Sequence, residues 1–327
     1  MTLNNAEILY VVCDANATSG MGHFMRCVSL ASALKSLNVE TVFLGDFSPI
    51  AQRFAEHFKQ KLQLTTASVI TRIASLALES QVLIDSYAYA TTYLPDNYRY
   101  ILIDDFCQQE VYPVKAVINF TLKANNYNYV SKGAQHQALG TDYYLPHPAI
   151  VGLDLPAVVA IKRLLIMIGS GDTNNLSAMM FEMVSAIDPS IEIKIVATKT
   201  QEAALAGIPA ECLIRPTPEV DSLYRWADLC ITSGGLAKYE LAYLAKPAAV
   251  YPLTEDEAVE TNQFSDAGLC FNLIADGNTK ADIINTLQRV LTSSSLRLSA
   301  HQRCLQVFSQ ASALNTAYFV QECLRGN

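Results

Sequence analysis

No apolar run in the sequence reaches the roughly 18 residues of a bilayer-spanning helix. The nearest, Leu155 to Ile168, is interrupted by Lys162 and Arg163. There is no basic run either, and the formal net charge is −8, so nucleic acid and acidic membrane surfaces are poor partners. None of the eight cysteines pairs with another in Cys-x-x-Cys spacing, and the five histidines show no metal-ligand spacing. Reduced core thiols are expected in place of a disulfide framework or a zinc site, and neither a metal nor a cofactor is expected. Internal repeats and low-complexity tracts are absent as well. Met1 to Glu7 is polar and lacks the basic region of a secretory signal, so a cytoplasmic protein is expected.

What is present is ample core: 51% of the 327 residues are hydrophobic, enough for two domains. The chain centres on Asp14-Ala15-Asn16-Ala17-Thr18-Ser19-Gly20-Met21-Gly22-His23-Phe24-Met25-Arg26-Cys27. The apolar run Ile8 to Cys13 before it suits a buried strand. After it, Cys27, Leu30, Ala31 and Leu34 recur at helical spacing, with Asn38 as a stop. Strand, glycine loop and helix N-terminus together favour an anion, because free N–H groups and the positive dipole end meet there. His23 is the one side chain in this loop able to shuttle a proton near neutral pH.

Further apolar segments follow at Val39 to Leu44, Val82 to Ile84, Tyr100 to Ile103 and Ala116 to Ile118, with a helical stretch from Val69 to Leu78. Their order predicts βαβ units and a parallel sheet. Each strand ends in polar residues, and ligands of open α/β sheets bind outside the carboxyl ends of the strands. Asp14, Asp85, Tyr87, Asp104 and Asn119 therefore share one expected rim with His23. Capping of the following helix is the competing role for each of these.

Periodicity lapses near Pro146, Pro148 and Pro156, which predicts domains over 1–156 and 157–327. The second half opens on the strand Arg163 to Ile168 and a glycine loop, Gly169-Ser170-Gly171-Asp172-Thr173-Asn174-Asn175. The helix after it carries a stripe of Leu176, Met179, Met180, Met183, Val184 and Ile187, whose methionines read as core. Strands are expected over Ile191–Ala197, Cys212–Ile214, Leu229–Ile231 and Ala248–Tyr251. Ser233-Gly234-Gly235 opens a helix through Glu240, Asn262-Gln263 is expected at a helix start, and helices continue from about Asp282 to Leu324. The expected fold is α/β, with two Rossmann-like domains facing each other across a cleft.

These segments together resemble one family. Asp14 to Cys27 is similar to its Asp-Ala-(x)n-Gly-x-Gly-His-x-x-Arg-Cys signature, and Gly169 to Asn175 to its second glycine loop. Ser233-Gly234-Gly235 with Glu240, and Asn262-Gln263, resemble its nucleotide-sugar motifs. The family is that of the UDP-2,4-diacetamido-2,4,6-trideoxy-β-L-altropyranose hydrolases of pseudaminic acid biosynthesis, with the related spore-coat polysaccharide proteins. It shares the GT-B fold of the MurG-like glycosyltransferases. The resemblance implies a metal-independent hydrolase acting on a UDP-sugar, with water replacing UDP at the anomeric carbon.

In that reading His23, Asn262 and Tyr87 are catalytic, His23 being the general base. Asp14, Gly20, Gly22, Arg26, Ser170, Gly171 and Asp172 line the substrate. Gly234, Gly235 and Leu236 offer backbone N–H groups to the diphosphate, Glu240 holds the ribose, and Gln263 completes the set. The last helix is expected to pack back on the first domain, as in GT-B relatives. Two departures stand out: Asp85-Ser86-Tyr87-Ala88 replaces the family's Asp-His-Tyr-Gly, and Leu236-Ala237 replaces its Ser-Thr. Two alternatives remain at this stage. One is a GT-B glycosyltransferase with a sugar or lipid acceptor; the other is a non-catalytic nucleotide-sugar binding protein.

Overall fold

The computed structural model describes residues 7–94, 99–169, 172, 175–198, 201 and 203–326. The chain forms two compact units, one of Met1–Val151 with Ser309–Asn327, the other of Gly152–Phe308.

In the first unit the described residues form a seven-stranded sheet, every pairing parallel. The strands are β1 (Glu7–Val12), β2 (Val39–Gly45), β3 (Lys61–Leu64), β4 (Gln81–Ile84), β5 (Tyr100–Ile103), β6 (Ala116–Asn119) and β7 (His136–Leu139). Their order, β3-β2-β1-β4-β5-β6-β7, places β1 beside β4 at the point where the strand order reverses. A parallel sheet is covered on both faces, so its strands read as continuous apolar runs. The four residues of β5 are all buried, as are those of β6.

Helix α1 (Gly22–Ser36) buries Phe24, Cys27, Val28, Leu30 and Leu34. A fully buried Leu or Phe contributes about 1.5–3 kcal/mol. The helix ends at Leu37, and Asn38 follows in the left-handed region at φ 61°. α2 (Pro49–His57) is capped by Ser48 and α3 (Val69–Ala74) by Ser68; α3 stops short of the expected Leu78 at Ser75, whose hydroxyl donates to the Arg72 carbonyl at 2.6 Å. The C-terminal helix, numbered α10 (Ser312–Arg325) after the six helices of the other unit, packs on α1. Asn315 and Thr316 donate to the carbonyls of Asp142 and Tyr143 at 3.0 and 2.8 Å, and Gln321 to Leu37 at 2.9 Å.

The second unit repeats the arrangement with six strands. These are β8 (Arg163–Met167), β9 (Glu192–Val196), β10 (Leu213–Ile214), β11 (Leu229–Ser233), β12 (Ala248–Tyr251) and β13 (Phe271–Asn272). Their order is β10-β9-β8-β11-β12-β13, again parallel throughout. α4 (Leu176–Ile187) buries Met180, Met183 and Val184 against Leu164, Ile166 and Ile231. α5 (Val220–Trp226), α6 (Leu236–Tyr243), α7 (Glu255–Asp266), α8 (Lys280–Thr292) and α9 (Ser294–Val307) complete it.

One expected boundary is corrected. Asn262-Gln263 lies in the second half of α7, not at its start, because Thr254, eight residues before Asn262, caps the helix by accepting from the Glu257 N–H. Three strands, β3, β7 and β13, escaped the sequence pattern. β3 is an edge strand, mostly exposed, and so carries no apolar signature.

Candidate functional site

The rim of the first sheet is built by the residues that leave β1, β4 and β5. After β1 the chain makes a tight loop organised by Asn16. Its Oδ1 accepts from the N–H groups of Thr18 and Ser19 at 2.9 and 3.0 Å, and Gly20 follows at φ 67°. A left-handed residue here is cheapest as glycine. Gly22 is the first residue of α1, whose N-cap, Met21, offers no side-chain acceptor. Asp14 is turned into the fold, accepting from the Asp46 N–H at 2.8 Å and from Arg72 at 2.7 Å.

His23 lies in the first turn of α1. Its Nδ1 stands 2.6 Å from Oδ1 of Asp85, the residue that follows β4. Nε2 has no hydrogen-bond partner among the described residues. Asp85 is fully buried and also accepts from Arg26 Nε and Nη2, at 2.6 and 2.5 Å, and from the Cys27 thiol at 3.3 Å. Burial alone would raise its pKa. Arg26 and His23 outweigh that and hold the carboxyl well below the usual carboxylate range. An ionised Asp85 fixes the tautomer with hydrogen on Nδ1 and leaves Nε2 as a proton acceptor.

Arg26 is itself 3% exposed. Its remaining donor, Nη1, reaches Asp105 at 2.8 and 3.0 Å. Burial opposes its charge, but the Asp105 and Asp85 carboxylates prevail and raise its pKa. Arg26 thus braces two carboxylates. Asp105 also accepts the hydroxyl of Tyr87, whose ring lies edge-on to His23 at 4.7 Å. Burial of the hydroxyl end and the Asp105 carboxylate keep the Tyr87 phenol protonated well beyond its ordinary range. Asp104 and Asn119 do local work, binding the Tyr112 and Tyr129 hydroxyls at 2.7 and 2.8 Å.

In the second unit Asp172 caps α4, accepting from the Leu176 and Ser177 N–H groups at 2.6 and 3.0 Å. Ser170 and Gly171 lie outside the described residues. Gly235 is the N-cap of α6, and Leu236 is its first residue. The N–H of Gly234 is already donated to Glu257 Oε2 at 3.2 Å. Glu240 takes the Tyr224 hydroxyl at 2.5 Å, and burial pushes its carboxyl up to about 7 against that hydrogen bond. Asn262 is exposed and accepts from Asn272 Nδ2 at 2.7 Å; Gln263 is half-buried beside it.

The structure thus gathers His23, Arg26 and Tyr87 around Asp85 and Asp105 in one unit. Gly234, Gly235, Leu236, Glu240, Asn262 and Gln263 belong to the other. Asp85 was visible in the sequence only as a polar strand end, and Asp105 not at all as a site residue. The usable signal was the position directly after a buried strand.

No family model matches the chain. Solved structures share its fold across nearly its full length. The glycotransferase of kitacinnamycin aligns with a TM-score of 0.68 at 12% identity, covering 97% of this chain and 98% of that one. MurG of Acinetobacter baumannii gives 0.62 at 13%, covering 97% and 99%. A UDP co-structure of S. aureus MnaA gives 0.64 at 11%, covering 98% and 97%. The fold is therefore of GT-B type, with two Rossmann-like units.

Among curated sequences the chain is 24% identical over 267 residues to the pseudaminic acid cytidylyltransferase and UDP-2,4-diacetamido-2,4,6-trideoxy-β-L-altropyranose hydrolase of Helicobacter pylori. That match takes in 79% of this chain and spans 47% of the relative's length, about half of it. The spore coat polysaccharide biosynthesis protein SpsG of Bacillus subtilis is 24% identical over 313 residues, 89% of this chain and 91% of its own. Among the described residues no helix is long and apolar enough to cross a membrane.

Proposed function

We propose that the protein is a nucleotide-sugar hydrolase that releases UDP from a UDP-diacetamido-trideoxyhexose, in nonulosonic (pseudaminic) acid or surface-polysaccharide biosynthesis. The observation that carries this reading is the 2.6 Å contact between His23 Nδ1 and Asp85, with Nε2 left without a partner. The names of the two curated relatives and the GT-B fold support the substrate class. The domain division at about residue 156 and the cytoplasmic setting belong to the same proposal.

The chemistry follows from those residues. Water attacks the anomeric carbon and gives its proton to His23 Nε2. The bond from that carbon to the β-phosphate oxygen breaks, and its electron pair leaves with UDP. The imidazolium formed on His23 is stabilised by the ionised Asp85 beside it. Amides at the start of α6, at Gly235 and Leu236, meet the diphosphate as fixed dipoles. Glu240 accepts from the ribose, and Asn262 orients the sugar or the water without titrating. Tyr87 limits the imidazole to one orientation, and Arg26 positions Asp85.

The test is to incubate the purified protein with a panel of UDP-deoxyamino sugars, without any acceptor, and follow released UDP. Turnover under these conditions supports hydrolysis. Release only when an acceptor hydroxyl is added gives the glycosyltransferase reading. Tight binding without release gives the binding-protein reading.

A further inference from the structure

The Gly234-Gly235 turn before α6 is the place where the proposed function puts a diphosphate, yet it is already engaged by an anion of the protein's own. Glu257, in the first turn of α7, reaches back with one carboxylate oxygen to two backbone donors. Oε2 accepts from the Leu253 N–H at 2.7 Å and from the Gly234 N–H at 3.2 Å. The packing is close: a Cβ on Gly234 would lie 2.6 Å from Cβ of Glu257 and 3.0 Å from Oγ1 of Thr261. Gly234 is thus required to be glycine by Glu257 and Thr261, whatever else approaches the turn.

A second observation bears on the same turn. Thr261 is fully buried, and its Oγ1 finds no hydrogen-bond partner among the described residues. A buried hydroxyl left unpaired is costly, so this packing does not satisfy every polar group around Gly234. The charge is unbalanced too. Lys238 donates to the Gly234 carbonyl and pairs with Glu260 at 2.5 Å, and Glu257 has no cationic partner among the described residues. The turn accepts an oxyanion and carries an excess negative charge.

From this geometry we infer that Glu257 is an internal gate on the nucleotide site, its carboxylate occupying a donor that a diphosphate would use. This rests on the proposed function. An arriving diphosphate must displace Glu257 from the Gly234 N–H or bind beside it against like charge, and either course lowers affinity. The gate acts on the phosphates alone, because neither Gly234 nor Leu253 is assigned to the nucleoside.

Calorimetric titration of UDP and of uridine into the wild type, Glu257→Gln and Glu257→Ala tests the inference. The glutamine keeps an oxygen for both backbone donors and removes the charge, so the fold is retained; the alanine frees the donors. Both variants are expected to bind UDP at least about fivefold more tightly, with uridine affinity unchanged, and added salt narrows the difference. UDP affinity that is unchanged or weaker in both variants, with wild type binding UDP, overturns the gate and leaves the nucleotide reading intact. A parallel gain for uridine overturns it as well. If all three proteins fail to bind UDP, the proposed function falls and the gate with it.

Discussion

Tyr87 lies edge-on to His23, with planes at 77°, and donates its hydroxyl away from the imidazole to Asp105. The two rings are therefore coupled by packing and not by a shared proton. Arg26 ties the arrangement together, since it binds both Asp105 and Asp85. One buried guanidinium thus sets the position of the carboxylate behind the imidazole and of the carboxylate that anchors the tyrosine.

Replacing His23 with Asn removes the proton acceptor and keeps a polar side chain. A positioned base typically contributes about 10²–10⁴ in rate. The expected result is a fall in kcat of at least about a hundredfold, with UDP affinity nearly unchanged. A near-normal kcat in the folded variant would remove the general-base role.

Asp85→Asn leaves Arg26 without one of its two carboxylates and the imidazole without its orienter. Breaking a buried ion pair from one side typically costs about 3–5 kcal/mol. The folded carboxyl stays ionised far below the unfolded value of about 3.9. Its contribution is therefore complete above that value and is lost as pH falls toward the depressed folded one. The urea midpoint of the wild type should exceed that of the variant widely at pH 6 and by less at pH 3, the gap closing only as the pH nears the depressed folded value. An equal gap at both pH values would contradict the assignment.

Glu240 behaves in the opposite sense. Its folded carboxyl is raised to about 7, so the stability linked to its protonation is present below the unfolded value and is lost as pH rises through the folded one. Glu240→Gln should gain on the wild type between pH 4.5 and pH 8. Uridine, which carries no phosphate, should bind the wild type more tightly at pH 8 than at pH 6 if the ionised carboxylate accepts from the ribose. In Glu240→Ala, UDP affinity should drop by about 1.5–3 kcal/mol. Unchanged calorimetric affinity would assign Glu240 to the helix alone.

Gly45, at the end of β2, faces β1 so closely that a Cβ would fall 1.8 Å from the Cys13 carbonyl oxygen. That atom is backbone, and the Phe47 ring closes the other side at 2.8 Å. Gly45→Ala should destabilise the first unit by at least about 2 kcal/mol. A thermal midpoint equal to that of the wild type would show that the strands can part at little cost.

Hydrolysis should survive exhaustive EDTA treatment, because the proposed charge stabilisation comes from Asp85, His23 and backbone amides. Loss of activity that Mg²⁺ or Mn²⁺ restores would overturn this mechanism.

The sequence by itself determined the layered architecture. Apolar strands alternate with amphipathic helices in both halves, and buried parallel strands need no cross-strand partner to be recognised, only their composition. It also placed His23 at a loop-to-helix junction, since glycine and helix-start signals are local. The partners of these residues were decided by tertiary structure. His23 meets Asp85 across 62 positions because the sheet sets β1 beside β4, and strand order is not written in any local pattern. The same holds for Arg26, which the motif offered to the substrate and the fold turns onto two carboxylates, the buried Asp85 and the part-exposed Asp105. It holds again for Gly234, whose N–H reads as free until α7 brings Glu257 over it from 23 residues away. Side-chain partnership depends on which strand ends and helix faces become neighbours, and that is settled only when the whole sheet assembles.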